Sequence, residues 1–168
     1  MAFDTFLKIT SPDVNGESTR GGFEKWIEIY SFSWGASNPT TVSPGATGLS
    51  AGRVSISSFN VMKKTEMSSP TLFAACCMGV HYGKVEVKLN KAAGDKTKAL
   101  DFLTYTFEDV MVESVQWSGS AGGDDTPTES VSLAFAKVSI LYESQSTAKG
   151  SKAENNSATW DLTKVQST

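Results

Sequence analysis

Three residues could provide a thiol nucleophile and an imidazole base. His81 is the only histidine, and Cys76 and Cys77 are the only cysteines. A thiol beside an imidazole could act as a nucleophile with its base. The cysteines, however, belong to the apolar stripe of a predicted helix, where a thiol is normally inert packing, and no cation stands close by in sequence to activate one. The pattern therefore favours small, reduced packing residues and predicts no catalytic residue.

Two pairs of neighbouring carboxylates could suggest acid–base work or calcium binding. These pairs are Glu108-Asp109 and Asp124-Asp125, and neither has the ligand spacing of a calcium loop. A strand edge and a solvated turn account for them. The glycines of 45–52 and 119–123 do not lie between a strand and a helix, as a phosphate-binding loop requires. We therefore expect no metal and no cofactor.

Composition narrows the class of protein further. The chain has 168 residues, with 15 lysines and arginines against 18 carboxylates, and its basic residues are scattered rather than clustered. This distribution argues against a nucleic-acid partner. No apolar run approaches the ~18 residues of a membrane helix, and residues 1–20 do not have the pattern of a signal peptide. We expect a single domain over residues 1–168, made in the reducing cytoplasm.

The elements around these residues are mostly strands, and 129–143 gives the clearest signal. Its apolar positions first include Leu133 and Phe135, and then change phase to Val138 and Ile140. A strand cannot change faces without a bulge, a bend at a barrel corner, or a second partner over the other face. The sequence thus predicts a curved sheet, either closed into a small barrel or covered over half its length by another chain.

The same change of phase recurs in three other predicted strands. In 23–37 it separates Ile27 and Ile29 from Phe32 and Trp34, in 53–63 it falls between Ile56 and Phe59, and in 99–117 it occurs twice, before Val110 and before Val115. A half-buried strand is predicted over 1–9 and a fully alternating one over 84–90.

One helix is predicted. Ser69 is the expected N-cap and Pro70 suits the first helical position. Leu72, Phe73, Cys76 and Cys77 form the apolar stripe, and Gly79 is expected to end the helix in a left-handed conformation.

The segment 36–52 is too long for a tight hairpin connection, and loops of this length often have a function. Because it carries Val42 and Leu49 but no titratable group, we expect it to dock on another surface.

An ordered set of short stretches resembles the haemolysin-coregulated protein (Hcp) family of bacterial type VI secretion. The set runs from residue 2 to about residue 165 and comprises 4–9, 16–18, 27–35, 69–72, 79–82 and 129–142. The chain differs from many members before the helix, where it carries Glu66 in place of an aspartate.

The resemblance implies a mainly β protein: a small β-barrel of two packed antiparallel sheets with one flanking α-helix, six copies of which form a ring. Stacked rings would form the inner tube of the secretion apparatus, exported without a signal peptide and carrying effector proteins in its channel. Sheath and spike proteins are the other implied partners. Two alternatives remain open: a tube subunit of another contractile injection particle, and a monomeric barrel that binds a small ligand.

The expected contacts can be assigned to residues. The second-phase apolar side chains are expected at the subunit interface, together with the long loop. Ser- and Thr-rich strand faces, which offer hydrogen bonds without charge, suit the channel. The interface candidates are Val42, Leu49, Val110, Val112, Val138 and Ile140, and the channel candidates are Ser55, Ser57, Thr104 and Thr106.

Overall fold

Alternating apolar residues produce a sheet that bends until its edges meet. The computed structural model describes residues 3–42, 48–91, 100–123, 125–144 and 154–167. Within them lie one helix, α1 (Ser68–Met78), and thirteen strands: β1 (Phe3–Thr10), β2 (Ile27–Ile29), β3 (Ser31–Ser33), β4 (Ala36–Ser37), β5 (Thr40–Val42), β6 (Leu49–Ala51), β7 (Ser55–Ile56), β8 (Phe59–Lys64), β9 (His81–Lys91), β10 (Leu100–Ser118), β11 (Thr128–Glu143), β12 (Asn155–Asp161) and β13 (Gln166–Ser167).

The strands of the main sheet form a closed antiparallel barrel. Going round it, β1 pairs with β9, β9 with β10, β10 with β11, and β11 with β8. Strand β8 then pairs with β3, and β2, which precedes β3 in the same extended segment, returns to β1. The Tyr30 N–H, between β2 and β3, donates to the Met62 carbonyl at 2.8 Å and completes the ring of hydrogen bonds. The predicted mainly β barrel with one helix is confirmed.

The changes of phase mark corners of this barrel. Strands β10 and β11 change faces together, because Phe107 pairs with Val138 and Val110 pairs with Phe135 without a shift in register. Two outward residues therefore separate consecutive inward residues on each strand, and Asp109, in the left-handed region at φ 51°, allows the twist. Both sets of apolar residues consequently face one core. The change of phase therefore reflects a corner of the barrel and not a second chain that covers the other face.

At this corner β11 also changes partner. Its first half, to Leu133, pairs with β8, and its second half, from Lys137, pairs with β12. The second predicted switch in β10 is confirmed as a register shift between Val112 and Ser114. The core thus draws on strands around the whole barrel, and its most deeply buried apolar side chains are Ile9, Ile27, Phe59, Val85, Val87, Phe107, Val110, Val131 and Leu133.

Helix α1 lies on the barrel through a narrower face than predicted. Leu72 and Ala75 are buried, whereas Phe73 is 50% exposed and Cys77 is exposed. The expectation that both cysteines pack in the core is therefore wrong for Cys77, because it falls on the outer side of the helix.

The helix ends as the sequence predicts and begins differently. Gly79 has φ 67° and its N–H bonds to the Ala75 carbonyl, which confirms the left-handed cap. The N-cap position is Met67, with no side-chain capping bond, so the assignment of Ser69 as N-cap is wrong. Ser69 is instead buried inside the first turn, where its hydroxyl serves a polar cluster described below.

The long segment 36–52 is not an irregular loop over its described part. Strand β4 pairs with β7, and beyond it β5 and β6 pair with each other, with Thr40 opposite Ala51 and Val42 opposite Leu49. Strands β5 and β6 therefore form a hairpin, which extends from the short β4–β7 ladder.

Candidate assembly surfaces

The residues suited to chemistry do not form an active site in the described part of the chain. His81 Nδ1 lies 2.8 Å from Asp109 Oδ1, and both side chains are exposed. The Cys76 thiol donates to the Glu113 carbonyl at 3.5 Å. Among the described residues no three histidine, cysteine or carboxylate side chains are grouped to hold a metal ion. Asp124 lies outside the described residues; Glu108 pairs with Lys137 at 3.3 Å on the barrel surface.

The shifted pKa values have structural causes. Burial raises the pKa of Tyr82, which packs in the core. A side-chain hydrogen bond from Thr163 is the main cause that lowers the pKa of Asp161, which also accepts the Thr163 and Lys164 N–H groups. Backbone hydrogen bonds lower the pKa of Glu24. Asp161 thus stabilises the turn that follows β12 through these hydrogen bonds.

A buried polar cluster fastens the start of α1 to the barrel. Lys63 and Glu129 face each other across β8 and β11, both 1% exposed, and form an ion pair. The Ser69 hydroxyl donates to Glu129 Oε1 at 2.9 Å and accepts from Lys63 Nζ at 3.0 Å. Glu66 accepts from the Ser68 hydroxyl at 2.7 Å and from the Glu17 N–H at 3.1 Å. These bonds position the helix.

Three of the four second-phase residues predicted at the interface are not available for contact. Val110, Val112 and Val138 are 0%, 4% and 4% exposed and belong to the core of the chain itself. Ile140 is partly buried against the same core. The prediction that the second-phase residues line a subunit interface is therefore wrong for these valines, because the corner in β10 and β11 turns both phases inward.

Val42 and Leu49, the other interface candidates, do lie on the surface. They are 72% and 71% exposed, and they sit opposite each other at the described end of the β5–β6 hairpin. Thr41 and Ser50 are bonded through their hydroxyls at 2.8 Å, which braces the hairpin just before this apolar pair. Two large apolar side chains so exposed on one projection are available to contact another surface.

The barrel presents two outward faces of different character. One spans β1, β9, β10 and the second half of β11, and it carries mixed charges such as the Lys84–Glu86 pair at 3.0 Å and the Lys88–Asp101 pair at 3.2 Å. Thr104 pairs with Lys88 and Thr106 with Glu86, so two of the four channel candidates lie on this charged face.

The second outward face, which we call the polar face, carries no charge in its two central rows. It spans β3, β8, the first half of β11 and the end of β10, where the outward residues stand opposite one another in two rows. Lys64 and Glu113 carry the charges nearest to its borders, on β8 and β10. The rows are Ser33–Asn60–Ser132–Ser114 and Ser31–Met62–Ser130–Gln116.

The remaining channel candidates lie along the strand segment that follows the first row. Ser55 pairs with Ser37 in the β4–β7 ladder, and the Ser57 hydroxyl bonds the backbone of Gly35, two residues after Ser33. Sequence reasoning named serines and threonines by composition and did not name Asn60, Ser114 and Ser132 of the polar face. A signal was present, because each of these alternates with a core residue in its strand.

A third exposed feature, the outer face of α1, was not predicted. Met67, Phe73 and Met78 are 65%, 50% and 71% exposed, and Phe73 contacts Trp117 of β10, itself 45% exposed, with ring centroids 5.7 Å apart. No charged residue occurs from 67 to 80. The described helix is too short to span a membrane.

These features define a class: a closed antiparallel barrel with one flanking helix and several distinctive exposed faces. Comparison with known proteins places the chain within that class. The profile of the family described as "Type VI secretion system effector, Hcp" matches residues 6–142, and the chain belongs to this family. It is 37% identical to Protein hcp1 of Pseudomonas aeruginosa over 152 residues, which is 90% of each chain.

Solved structures agree with this assignment. The structure described as that of a type six secretion system protein superposes with a TM-score of 0.89 at 34% identity, covering 99% of this chain and 100% of the other. Hcp1 from Salmonella typhimurium gives a TM-score of 0.76 at 27% identity and covers 100% of both chains. The resemblance found in the sequence is thus confirmed, and the chain is a type VI secretion protein.

Proposed function

We propose that the chain is a structural subunit of the type VI secretion inner tube. Six copies form a ring, rings stack into a tube, and the tube is exported from the bacterial cytoplasm without a signal peptide. Its partners are further copies of itself, effector proteins carried in the channel, and the sheath and spike proteins of the apparatus. Its role is transport and not catalysis. Family membership supports this proposal, and the monomeric ligand-binding alternative is not favoured.

The observation that carries the proposal furthest is the contrast between the two outward faces. A channel that passes different proteins cannot present a strong fixed charge, because six copies would multiply each attraction or repulsion. The polar face meets this condition, since its hydroxyls and amides offer hydrogen bonds without committed charge. We therefore propose that the rows through Asn60 and Ser132 line the channel, in place of Thr104 and Thr106, and that the charged face stays in solvent.

The proposal is tested by two serines of the same strand. Ser132 and Ser139 are both partly buried in β11, and each bonds one side chain of a neighbouring strand, Asn60 and Thr159 respectively. Ser132→Glu places six carboxylates on the proposed channel wall, whereas Ser139→Glu adds the same charge to the charged face. Light scattering should give six times 17.9 kDa for both variants.

The two variants should then differ in the effector proteins that they retain. We expect effector proteins that co-purify with the unsubstituted ring to be lost from Ser132→Glu and kept by Ser139→Glu. Equal retention by both variants would place the channel elsewhere. A mass of one chain for the unsubstituted protein would instead contradict the tube function.

A further inference from the structure

One side chain in the two central rows of the polar face is apolar. Seven of the eight residues in these rows are serine, asparagine or glutamine, and the eighth is Met62. Met62 is 44% exposed. A single exposed methionine is ordinary on a monomer, but the proposed ring would place six copies of it on one circle of the channel wall. The ring would thereby turn an isolated side chain into a repeated apolar contact.

Strand β8 holds Met62 outward and leaves its side chain uncovered. Met62 alternates with buried residues along the strand, so it points away from the core. Its carbonyl accepts the Tyr30 N–H at 2.8 Å, which fixes the backbone at this position. Across the ladders it stands opposite Ser31 of β3 and Ser130 of β11. Both serines are shorter than a methionine, so the thioether extends beyond them.

The hydroxyls and amides of the polar face would by themselves hold a passing protein weakly. Each hydrogen bond that they make to a partner replaces one that they make to water, so the net gain in free energy is small. Burial of the Met62 thioether has no such competition, because it removes apolar surface from water. The polar side chains therefore allow different proteins to pass, whereas Met62 supplies an attraction that retains them.

Methionine suits a contact with partners of different shape. Its side chain is unbranched and flexible, and its sulfur is polarisable, so it adapts to irregular apolar surfaces. Six copies on one circle would also act together, since a protein held at one of them stays close to the others. Each single contact remains weak, which is compatible with release after delivery.

Tyr30 and Lys64 offer a different kind of contact at the border of the polar face. Tyr30 is 60% exposed, and Lys64 Nζ lies 5.6 Å from the centre of its ring. A partner held by this ammonium group would be acidic, and its affinity would fall as salt screens the charge. A partner held by Met62 would keep its affinity in salt. The salt dependence of binding thus separates the two contacts.

We infer that Met62 is the apolar contact through which the ring retains effector proteins. The partner is an effector protein that presents an exposed apolar side chain to the channel wall. This inference rests on the proposed channel, and it assigns to one residue the part of the wall that selects what is carried.

Three variants test the role of Met62. Met62→Ser gives the position the chemistry of its neighbours, and Met62→Leu keeps an apolar side chain there. The matched control is Val165→Ser, because Val165 is 43% exposed in the turn after β12 and lies outside the polar face. The probe is the effector protein that co-purifies most abundantly with the unsubstituted ring, expressed alone and mixed with each purified ring. Isothermal titration calorimetry measures the Kd, and light scattering checks the mass of the ring.

We expect Met62→Ser to raise the Kd about tenfold or more, and Met62→Leu and Val165→Ser to leave it within about threefold. The Kd of the unsubstituted ring should change little between about 0.1 M and about 0.5 M sodium chloride. An unchanged Kd for Met62→Ser, an equal loss for Met62→Leu, a strong dependence on salt, or loss of the ring in Met62→Ser would each overturn the inference while the tube function stands. Rings that carry no effector protein would overturn it as well, and a monomeric unsubstituted chain would contradict both.

Discussion

Two residues of opposite charge are buried inside the barrel. Lys63 and Glu129 lie inside it and are paired with each other, and the Ser69 hydroxyl bonds to both, while Glu129 Oε2 has no partner. A buried pair of this kind is not by itself strongly stabilising, because both charges have lost their water. Replacing only one of the two residues is costly, since the remaining buried charge loses its closest partner.

We therefore predict a large difference between single and double substitutions. Lys63→Met and Glu129→Leu should each lower the free energy of unfolding by about 3–5 kcal/mol, because each removes the closest partner of a buried charge. Lys63 would keep only Glu66, at 3.8 Å, as a charged partner after Glu129→Leu. The double variant should be more stable than either single one. Urea denaturation followed by circular dichroism measures all three. Additive losses in the double variant would contradict the prediction.

Val138 gives a second prediction at this scale. It is 4% exposed and packs in the core at the corner of β11. Val138→Asp should therefore unfold the domain rather than yield a folded monomer, because a buried unpaired carboxylate costs several kcal/mol. The expected result is loss of the cooperative thermal transition, whereas Val138→Ala should retain it at a lower Tm. A folded, monomeric Val138→Asp protein would show that the side chain belongs to an interface after all.

At the scale of the element, the corner is the feature that makes a barrel from long strands. Strand β10 runs from Leu100 to Ser118 and β11 from Thr128 to Glu143, and both turn their faces at the same level. The turn depends on a left-handed residue, Asp109, within an otherwise extended strand. Asparagine and aspartate adopt this conformation far more readily than branched residues do.

We predict that the corner tolerates Asp109→Asn and not Asp109→Val. Asparagine keeps the left-handed conformation and removes only the charge that faces His81, an exposed pair worth little. Valine adds about 1–2 kcal/mol of backbone strain. Thermal unfolding of the two variants should show a lower Tm for valine. Equal Tm values would mean that the corner does not depend on this conformation.

For the whole molecule, the exposed apolar surfaces link stability to assembly. Val42 and Leu49 of the hairpin and Phe73 and Met78 of α1 are exposed in the single chain. Any association that the native state makes and the unfolded state does not will raise apparent stability with concentration. If the proposed ring covers these side chains, we expect the single chain to be less stable than the ring.

We accordingly predict that the Tm of the unsubstituted protein rises with protein concentration. Phe73→Glu, which places a charge on the exposed apolar side of α1, is expected to show a weaker dependence of the Tm on concentration if that side is covered in the ring. Scanning calorimetry over a hundredfold range of concentration measures both. A Tm independent of concentration in a protein shown to form rings would indicate that the rings do not add to the stability of the fold.

The sequence by itself determined the long strands, the positions at which they change phase, and the family. Period-two alternation placed Val85, Val87 and Leu89 on one face, changes of phase located the turns near Asp109 and after Val112, and Gly79 ended the helix. These are local consequences of side-chain geometry, so they can be read without knowing the fold. The ordered motifs identified the Hcp family in the same way.

Only the tertiary structure decided which surface each phase faces. A change of phase shows that both sets of side chains are apolar, yet a strand that bends can turn both sets toward one core, as Val110 and Val138 show. The burial of Lys63 against Glu129 and the exposure of Phe73 beside Trp117 likewise depend on strands and a helix that are distant in sequence. The local pattern determines how side chains alternate along a strand or helix. The closed barrel determines which strand lies beside which, and therefore which side chains come into contact.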